Sequence, residues 1–361
     1  MLQGVNVFLN LFIQLIMQID KIEIGKSFKP FVIAEVAQTH EGSLGNAYRF
    51  IEIAKECGAD AIKFQTHIAE EESTPHEQWR VPFSFQDKSR YDYWNRISFT
   101  KEQWIGLKEH ADKIGIVFMS SAFSLLACEW LEAMNMAVWK IASGEVHNKE
   151  LISRIKSTGK PIIVSSGLST FDETDSILKG LSDVQSGIAL MQCTTKYPTP
   201  PDEVGMNIVE AYLKKYPNIP IGLSDHSGNV FPSIVAAYLG ASIIEVHLTM
   251  HEKMFGPDVI ASLTPVELKQ MIDGIRYSYL MRQNPIDKDN QVEKQTVNRT
   301  IFGRSLYASR YLSSGTILTG SDIAYKKPGG GLSYEQKKDL IGKKIKGDIE
   351  KDHQFNIKDV E

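Results

Sequence analysis

The stretch IGLSDHSGNVFPSIVAAYLGASIIEVHL, running from Ile221 to Leu248, decides how this chain is read. It contains two short apolar runs, Ile221–Leu223 and Ser242–Val246. Polar groups gather where each gives out: Ser224-Asp225-His226 after the first, Glu245 and His247 at the close of the second. The segment between them is long enough to carry the chain back, so the unit reads as strand, crossover and parallel strand.

The same rhythm extends back to Phe31. Further candidate strands are Phe31–Glu35, Ala61–Gln65, Gly115–Ser120, Val138–Ser143, Pro161–Ser165 and Ile188–Gln192. Helical patterns such as Ala47–Cys57, Lys101–Lys113, Ser124–Ala133 and Lys149–Lys156 lie between them. Eight strands over somewhat more than ~200 residues match an α/β fold, the (β/α)8 TIM barrel. The run ends bring Glu35, Lys63, Gln65, Ser120, Lys140, Ser143, Glu145, Ser165 and Gln192 into line with the groups above. In a closed barrel all these ends point at one mouth, where such enzymes place their chemistry.

The chain has 361 residues, 42% of them hydrophobic, which is globular usage. Its 44 acidic residues against 40 Lys plus Arg give a net charge of -4, so no general affinity for nucleic acid or an anionic membrane is expected. Cys57, Cys128 and Cys193 are too scattered for a disulfide framework or a zinc site, which predicts a reduced, cytoplasmic protein. The apolar run Val5–Met17 is broken by Asn6, Asn10 and Gln14; it is short for a membrane span and reads as a strand, packing segment or extension. The expected division is an N-terminal extension over 1–30, the barrel over 31–283, a polar linker over 284–299 and a small module over 300–361. That module is too small to bury much core alone and is expected to lean on the barrel or on a partner subunit.

His226 and His247 follow adjacent strands and could hold a divalent cation, oxygen ligands completing the shell; a structural histidine pair is the plainer alternative. Asp225 could orient an imidazole or cap a helix, and Glu245 could support a ligand. Lys63 and Lys140 interrupt apolar runs, where a solvated lysine is not expected. Buried ammonium groups need an anion, a carboxylate partner or a catalytic duty, so a substrate with phosphate and carboxylate groups, a Schiff base and plain ion pairs to Glu35 or Glu145 all stay open. Ser143, Ser165 and Ser224 lie near turn glycines and could bind oxyanions. No nucleotide-binding fingerprint is present. The aromatic-rich stretch Trp79–Trp94 is long enough to cover the mouth and clamp a sugar or a partner subunit.

Taken together, IAEVAQTHEGSLG, KFQTHI, WKIASGE, CTTKYPTP, GLSDHSG, EVHLT and GPD resemble the sialic acid synthase family, the phosphoenolpyruvate-condensing synthases of nonulosonic acids. The tail SLYASRYLSSGTILTGSDIAYKKPGGG is similar to the antifreeze-like (SAF) module that ends these enzymes. The resemblance implies a metal-dependent condensation of phosphoenolpyruvate with an N-acylated mannosamine-type aldose, N-acetylneuraminate synthesis being the first expectation. It implies Mn2+ as the preferred ion, with Mg2+ or another divalent ion as substitutes, held by His226 and His247. Lys63, Gln65, Lys140, Ser143, Ser165 and Ser224 would surround phosphoenolpyruvate. Glu35, Glu145 and Tyr197 would be catalytic, with Asp225, Glu245 and Asp258 in support. The family forms a domain-swapped homodimer whose terminal module caps the partner's mouth, which here would present Lys327 to the sugar.

Three positions depart from the family pattern. Thr195 and Thr39 stand where asparagines are usual, and Lys327 stands where an arginine meets the sugar's N-acyl carbonyl. Lysine lacks the planar guanidinium fork, so these changes bear on sugar choice more than on the reaction. The alternatives are a 6-deoxy-diacetamido sugar of the legionaminate or pseudaminate type, a 3-deoxy-octulosonate phosphate-type synthase, a Schiff-base aldolase and a non-catalytic carbohydrate-binding protein.

Overall fold

The computed structural model describes residues 17–361, so all of the Val5–Met17 run except Met17 lies outside the described residues. The described chain forms two compact units, dividing between Asn284 and Pro285.

In the first unit a hairpin of β1 (Met17–Ile19) and β2 (Ile22–Ile24) precedes eight parallel strands. These are β3 (Phe31–Glu35), β4 (Ala61–Thr66), β5 (Val117–Ala122), β6 (Trp139–Ile141), β7 (Ile162–Ser165), β8 (Ile188–Cys193), β9 (Ile221–Asp225) and β10 (Ile243–Leu248). Each pairs with the next, and β10 pairs with both β9 and β3, which closes the barrel. Most connecting helices start at a hydroxyl or amide cap: Ser43 accepts from the Asn46 amide, Thr100 and Thr170 form reciprocal boxes with Gln103 and Glu173, and Asn148 accepts from Leu151. Strand β5 starts two residues later than the sequence suggests. Gly115, at φ 73°, is the left-handed terminator of the Lys101–Ile114 helix, a conformation glycine takes without strain.

Strand pleating separates two cores. Outward residues such as Val32, Ile62, Phe118, Trp139, Val164, Leu190, Leu223 and Val246 pack under the helices. Inward residues of the lower barrel, including Phe31, Ile33, Ala61, Met119, Ile163, Met191 and Ile243, form a separate cluster. The hairpin adds Met17, Ile19 and Ile24 to that inner cluster, so it plugs the end of the barrel where the strands begin. Further along the same inward rows, apolar gives way to polar: Phe31 and Ile33 to Glu35, Ala61 to Lys63, Ile163 to Ser165, Ile243 to Glu245 and His247.

The second unit pairs Ser305–Ala308 with Ile323–Lys326 around a core of Leu306, Leu312, Leu318, Leu340, Ile345 and Phe355. The polar segment read as a linker carries two exposed helices, Lys288–Lys294 and Thr296–Phe302.

Ile19 is fully buried in the plug. Ile19→Ala should therefore cost about 2–5 kcal/mol of barrel stability, the usual loss for such a truncation. Urea unfolding followed by tryptophan fluorescence checks this, because all five tryptophans belong to the barrel unit.

Candidate active site

The polar end of the barrel encloses a cavity of about 300 Å³. Its floor is a buried charge network. Lys63 Nζ lies 2.7 Å from Glu35 Oε2 and 3.4 Å from Glu245 Oε1, and Lys140 Nζ lies 3.3 Å from that same Glu245 oxygen. The Ser224 hydroxyl donates to Glu245 at 3.3 Å, and the Gln65 amide donates to Glu35 at 2.8 Å. Two ammonium groups and two carboxylates thus balance in a place water barely reaches, the condition under which buried charge is tolerated. The two acids are not equivalent. Burial alone would raise Glu245, but Lys140 and Lys63 overturn this and hold it down to about 2. At Glu35 burial prevails over the single ammonium of Lys63, and the carboxyl stays above its ordinary range. Two acids pushed apart in this way suit different proton duties.

One wall is built from Tyr197, His226 and His247. His226 Nδ1 donates to the Thr194 carbonyl at 2.8 Å, which turns Nε2 toward the Tyr197 hydroxyl at 3.2 Å. The rings of Tyr197 and His226 stack at 4.1 Å, and the His247 ring meets His226 edge-on at 5.2 Å. Burial pushes His247 down to about 3, against the pull of Asp258, so its imidazole is neutral and able to ligate. Its Nδ1 is buried with no hydrogen-bond partner, as are Glu245 Oε2 and Ser165 Oγ. Unmet buried polar atoms around one cavity are what a polar ligand would satisfy.

The Trp79–Trp94 stretch lies at the mouth. Trp79, Arg80, Val81, Phe83, Arg90, Tyr93 and Trp94 all line the cavity. Its second half winds into the helix Arg90–Ile97, started by a Ser89–Asp92 capping box. Arg80 donates to Asp258 at 2.8 Å and lies 4.1 Å over the Tyr197 ring; Arg90 pairs with Glu77 at 3.1 Å.

Glu35, Lys63, Gln65, Lys140, Ser143, Ser165, Tyr197, Ser224, His226, Glu245, His247 and Asp258 therefore meet around one space. The Gly167 amide donates to Ser143 at 3.1 Å, and a Cβ on Gly167 would meet the Ser143 and Thr195 hydroxyls at 2.8 and 2.7 Å, so the close approach requires glycine.

Other expected residues lie elsewhere. Glu145 is outside the cavity lining, in the turn after β6, where it accepts from Asn148. Asp225 faces outward and accepts from the Ser227 amide in the turn before the Phe231–Leu239 helix and from the Ser233 hydroxyl within it, while the helix N-cap is Val230, which has no side-chain cap. Thr39 uses its hydroxyl on the Val36 and Leu248 carbonyls and borders no ligand space. Ser120 and Gln192 also face outward; the inward neighbours Ser121 and Cys193 line the cavity in their place. Lys327 is exposed in the second unit, its ammonium 5.5 Å over the Phe302 ring. Gln38, His67 and Phe123 line the cavity without having been singled out. His67 had a signal: it lies two and four residues after Gln65 and Lys63, on the same side of the pleat.

A closed parallel barrel with ionisable groups gathered at its C-terminal mouth, followed by a small separate unit, defines a barrel enzyme with an accessory terminal domain. Residues 50–286 match the NeuB family and residues 303–361 the SAF domain, and the chain belongs to the NeuB family of phosphoenolpyruvate-condensing nonulosonic acid synthases. It is similar to the human N-acetylneuraminate-9-phosphate synthase, 30% identical over 91% of this chain and 92% of that protein. It is likewise 32% identical to a pseudaminic acid synthase of Campylobacter jejuni, over 92% of this chain and 97% of that one. The crystal structure of N-acetylneuraminic acid synthetase from Leptospira borgpetersenii superposes with a TM-score of 0.68 at 26% identity, covering 78% of this chain and 96% of that one. Among the described residues no helix is long and apolar enough to cross a membrane.

Lys63→Met leaves Glu35 and part of the charge on Glu245 without their cation. The variant should lose about 3–5 kcal/mol at neutral pH, the usual result of removing one partner from a buried pair. A carboxyl raised above its unfolded value binds its proton more tightly in the native state, so stability falls as pH rises past the unfolded value. Urea titrations should therefore show the deficit against wild type growing from about pH 4 to pH 7.

Proposed function

We propose that the protein condenses phosphoenolpyruvate with an N-acylated mannosamine-type aldose in its open-chain form, consuming water and releasing phosphate. The observation that carries this is the pairing of two buried lysines with unsatisfied Ser165 Oγ, Glu245 Oε2 and His247 Nδ1 around one cavity. Lys63 and Lys140 would neutralise the phosphate and carboxylate of phosphoenolpyruvate, with Ser143, Ser165, Gln65 and Ser224 fixing its orientation. Its C3 attacks the aldehyde carbon, positive charge develops at C2, water adds there, and the C–O bond to phosphate breaks. Glu35, the weaker of the two buried acids, is placed to orient that water and take its proton; Glu145, outside the cavity, is not.

His226 and His247 suit a divalent cation: both are buried, and the latter keeps an unpaired ring nitrogen. Among the described residues no cluster of three or more His, Cys, Asp or Glu could hold an ion, so the protein would supply two imidazoles and substrate or water the rest. When bound, a cation such as Mn2+ polarises the aldehyde oxygen toward attack. Tyr197, stacked on His226 and capped by Arg80, keeps that imidazole in place.

N-acetylmannosamine is the first candidate sugar. Of the lysines and arginines lining the cavity, Lys63 and Lys140 are assigned to phosphoenolpyruvate and Arg80 and Arg90 pair with Asp258 and Glu77, which leaves none among these lining residues for a sugar phosphate. That speaks against the octulosonate phosphate-type reaction. The aromatic wall of Trp79, Phe83 and Trp94 favours a second reading, a 6-deoxy-diacetamido sugar of the legionaminate or pseudaminate type. We place the homodimer, with Lys327 of the SAF domain over the partner's mouth, in the same proposal; a monomer of full activity by sedimentation would overturn it.

The test is phosphate release from phosphoenolpyruvate with Mn2+ and each of N-acetylmannosamine, its 6-phosphate and a diacetamido-dideoxy sugar, with products identified by mass. Turnover of an unphosphorylated sugar to a nine-carbon keto acid is expected, and turnover of the phosphate alone would refute the charge argument. Chelation should abolish release and Mn2+ restore it. His226→Ala and His247→Ala should each lower turnover by ~100-fold or more.

A further inference from the structure

Glu35 is held on one side by Lys63 and on the other by Gln65, and what holds Gln65 lies outside the group already discussed. With its amide donating to Glu35 at 2.8 Å, Gln65 turns its carbonyl oxygen the other way. Two nitrogens converge on that oxygen: Gln38 Nε2 at 2.6 Å and His67 Nε2 at 3.0 Å. They lie 3.3 Å from each other, the spacing of two donors aimed at one acceptor. The opposite edge of the His67 ring, Nδ1, meets Glu72 Oε1. The Gln65 oxygen can only accept, so its contact with Nε2 places a hydrogen on that nitrogen, and a second proton lies between Nδ1 and the Glu72 carboxylate. The ring is clamped as well, stacked 4.0 Å from Trp94 and 4.3 Å from Phe123.

We propose that His67, fixed by Glu72, is a positioning residue for Glu35: by donating to the Gln65 carbonyl it dictates which end of that carboxamide faces the carboxylate. An amide rotated by half a turn would present its oxygen to Glu35 and push it from its place between Gln65 and Lys63. The aromatic clamp ties this contact to the mouth segment, because Trp94 belongs to the helix that lines the entrance. The inference takes Glu35 as the group acting on water and so rests on the function proposed above.

Two substitutions separate positioning from packing. His67→Phe keeps an aromatic ring between Trp94 and Phe123 and removes the donor; His67→Gln keeps a donor that can reach Gln65 and removes the ring. His67→Phe should lower kcat for phosphate release by about 10–100-fold, the scale on which misplaced catalytic groups cost rate. His67→Gln should recover most of that loss. Equal activity in both variants, whether wild-type or lowered alike, overturns the proposal. A crystal structure of the His67→Phe protein decides independently of turnover. A Gln65 amide turned away from Glu35 supports the inference, and an unchanged Gln65–Glu35 contact refutes it, even if no sugar in the panel is consumed.

Discussion

Lys63 between two carboxylates is the interaction on which the upper barrel depends. A lone ammonium so deeply enclosed would lose its proton, and Glu35 and Glu245 brought together without it would repel. Each member makes the others tenable. Lys140 and Ser224 then add to the same oxygen of Glu245, and Gln65 takes the second oxygen of Glu35. The network spans five strands, β3, β4, β6, β9 and β10, so strand register is coupled to charge balance. A strand displaced by one residue would expel its ionisable group into the apolar shell beneath the helices.

Much of this could be read from the chain. Short apolar runs ending in polar groups located the eight strands and the mouth, because in a parallel barrel the polar ends all fall on one side. Matched motifs identified the family. Pleat parity was harder to see where a strand ends in neighbouring residues that are both able to face a polar mouth. Ser120 and Ser121 are equally polar in sequence, and the inward row through Met119 settles that Ser121 is the one facing the cavity. Gln192 and Cys193 pose the same choice. Glu145 looked like a strand end but belongs to the following turn. Thr39, a departure from the family pattern, proves to be a tie between the ends of β3 and β10.

Loop-borne parts of the site were the least legible. Arg80 reaches Asp258 across 178 positions of sequence, and no local pattern encodes such a contact. The Trp79–Trp94 stretch advertises itself by composition, yet its role as a cavity wall follows from the Ser89-capped helix and from packing of Tyr93, Trp94 and Ile97. Chemistry on strands is indexed by alternation; chemistry on loops is indexed only by what it touches.

The hairpin at the foot of the barrel has a consequence for traffic. With Met17, Ile19 and Ile24 stoppering that end, the interior is a cul-de-sac rather than a passage. Anything that reaches the level of the two lysines goes in and comes out by the same mouth, past the side chains of the Trp79–Trp94 stretch.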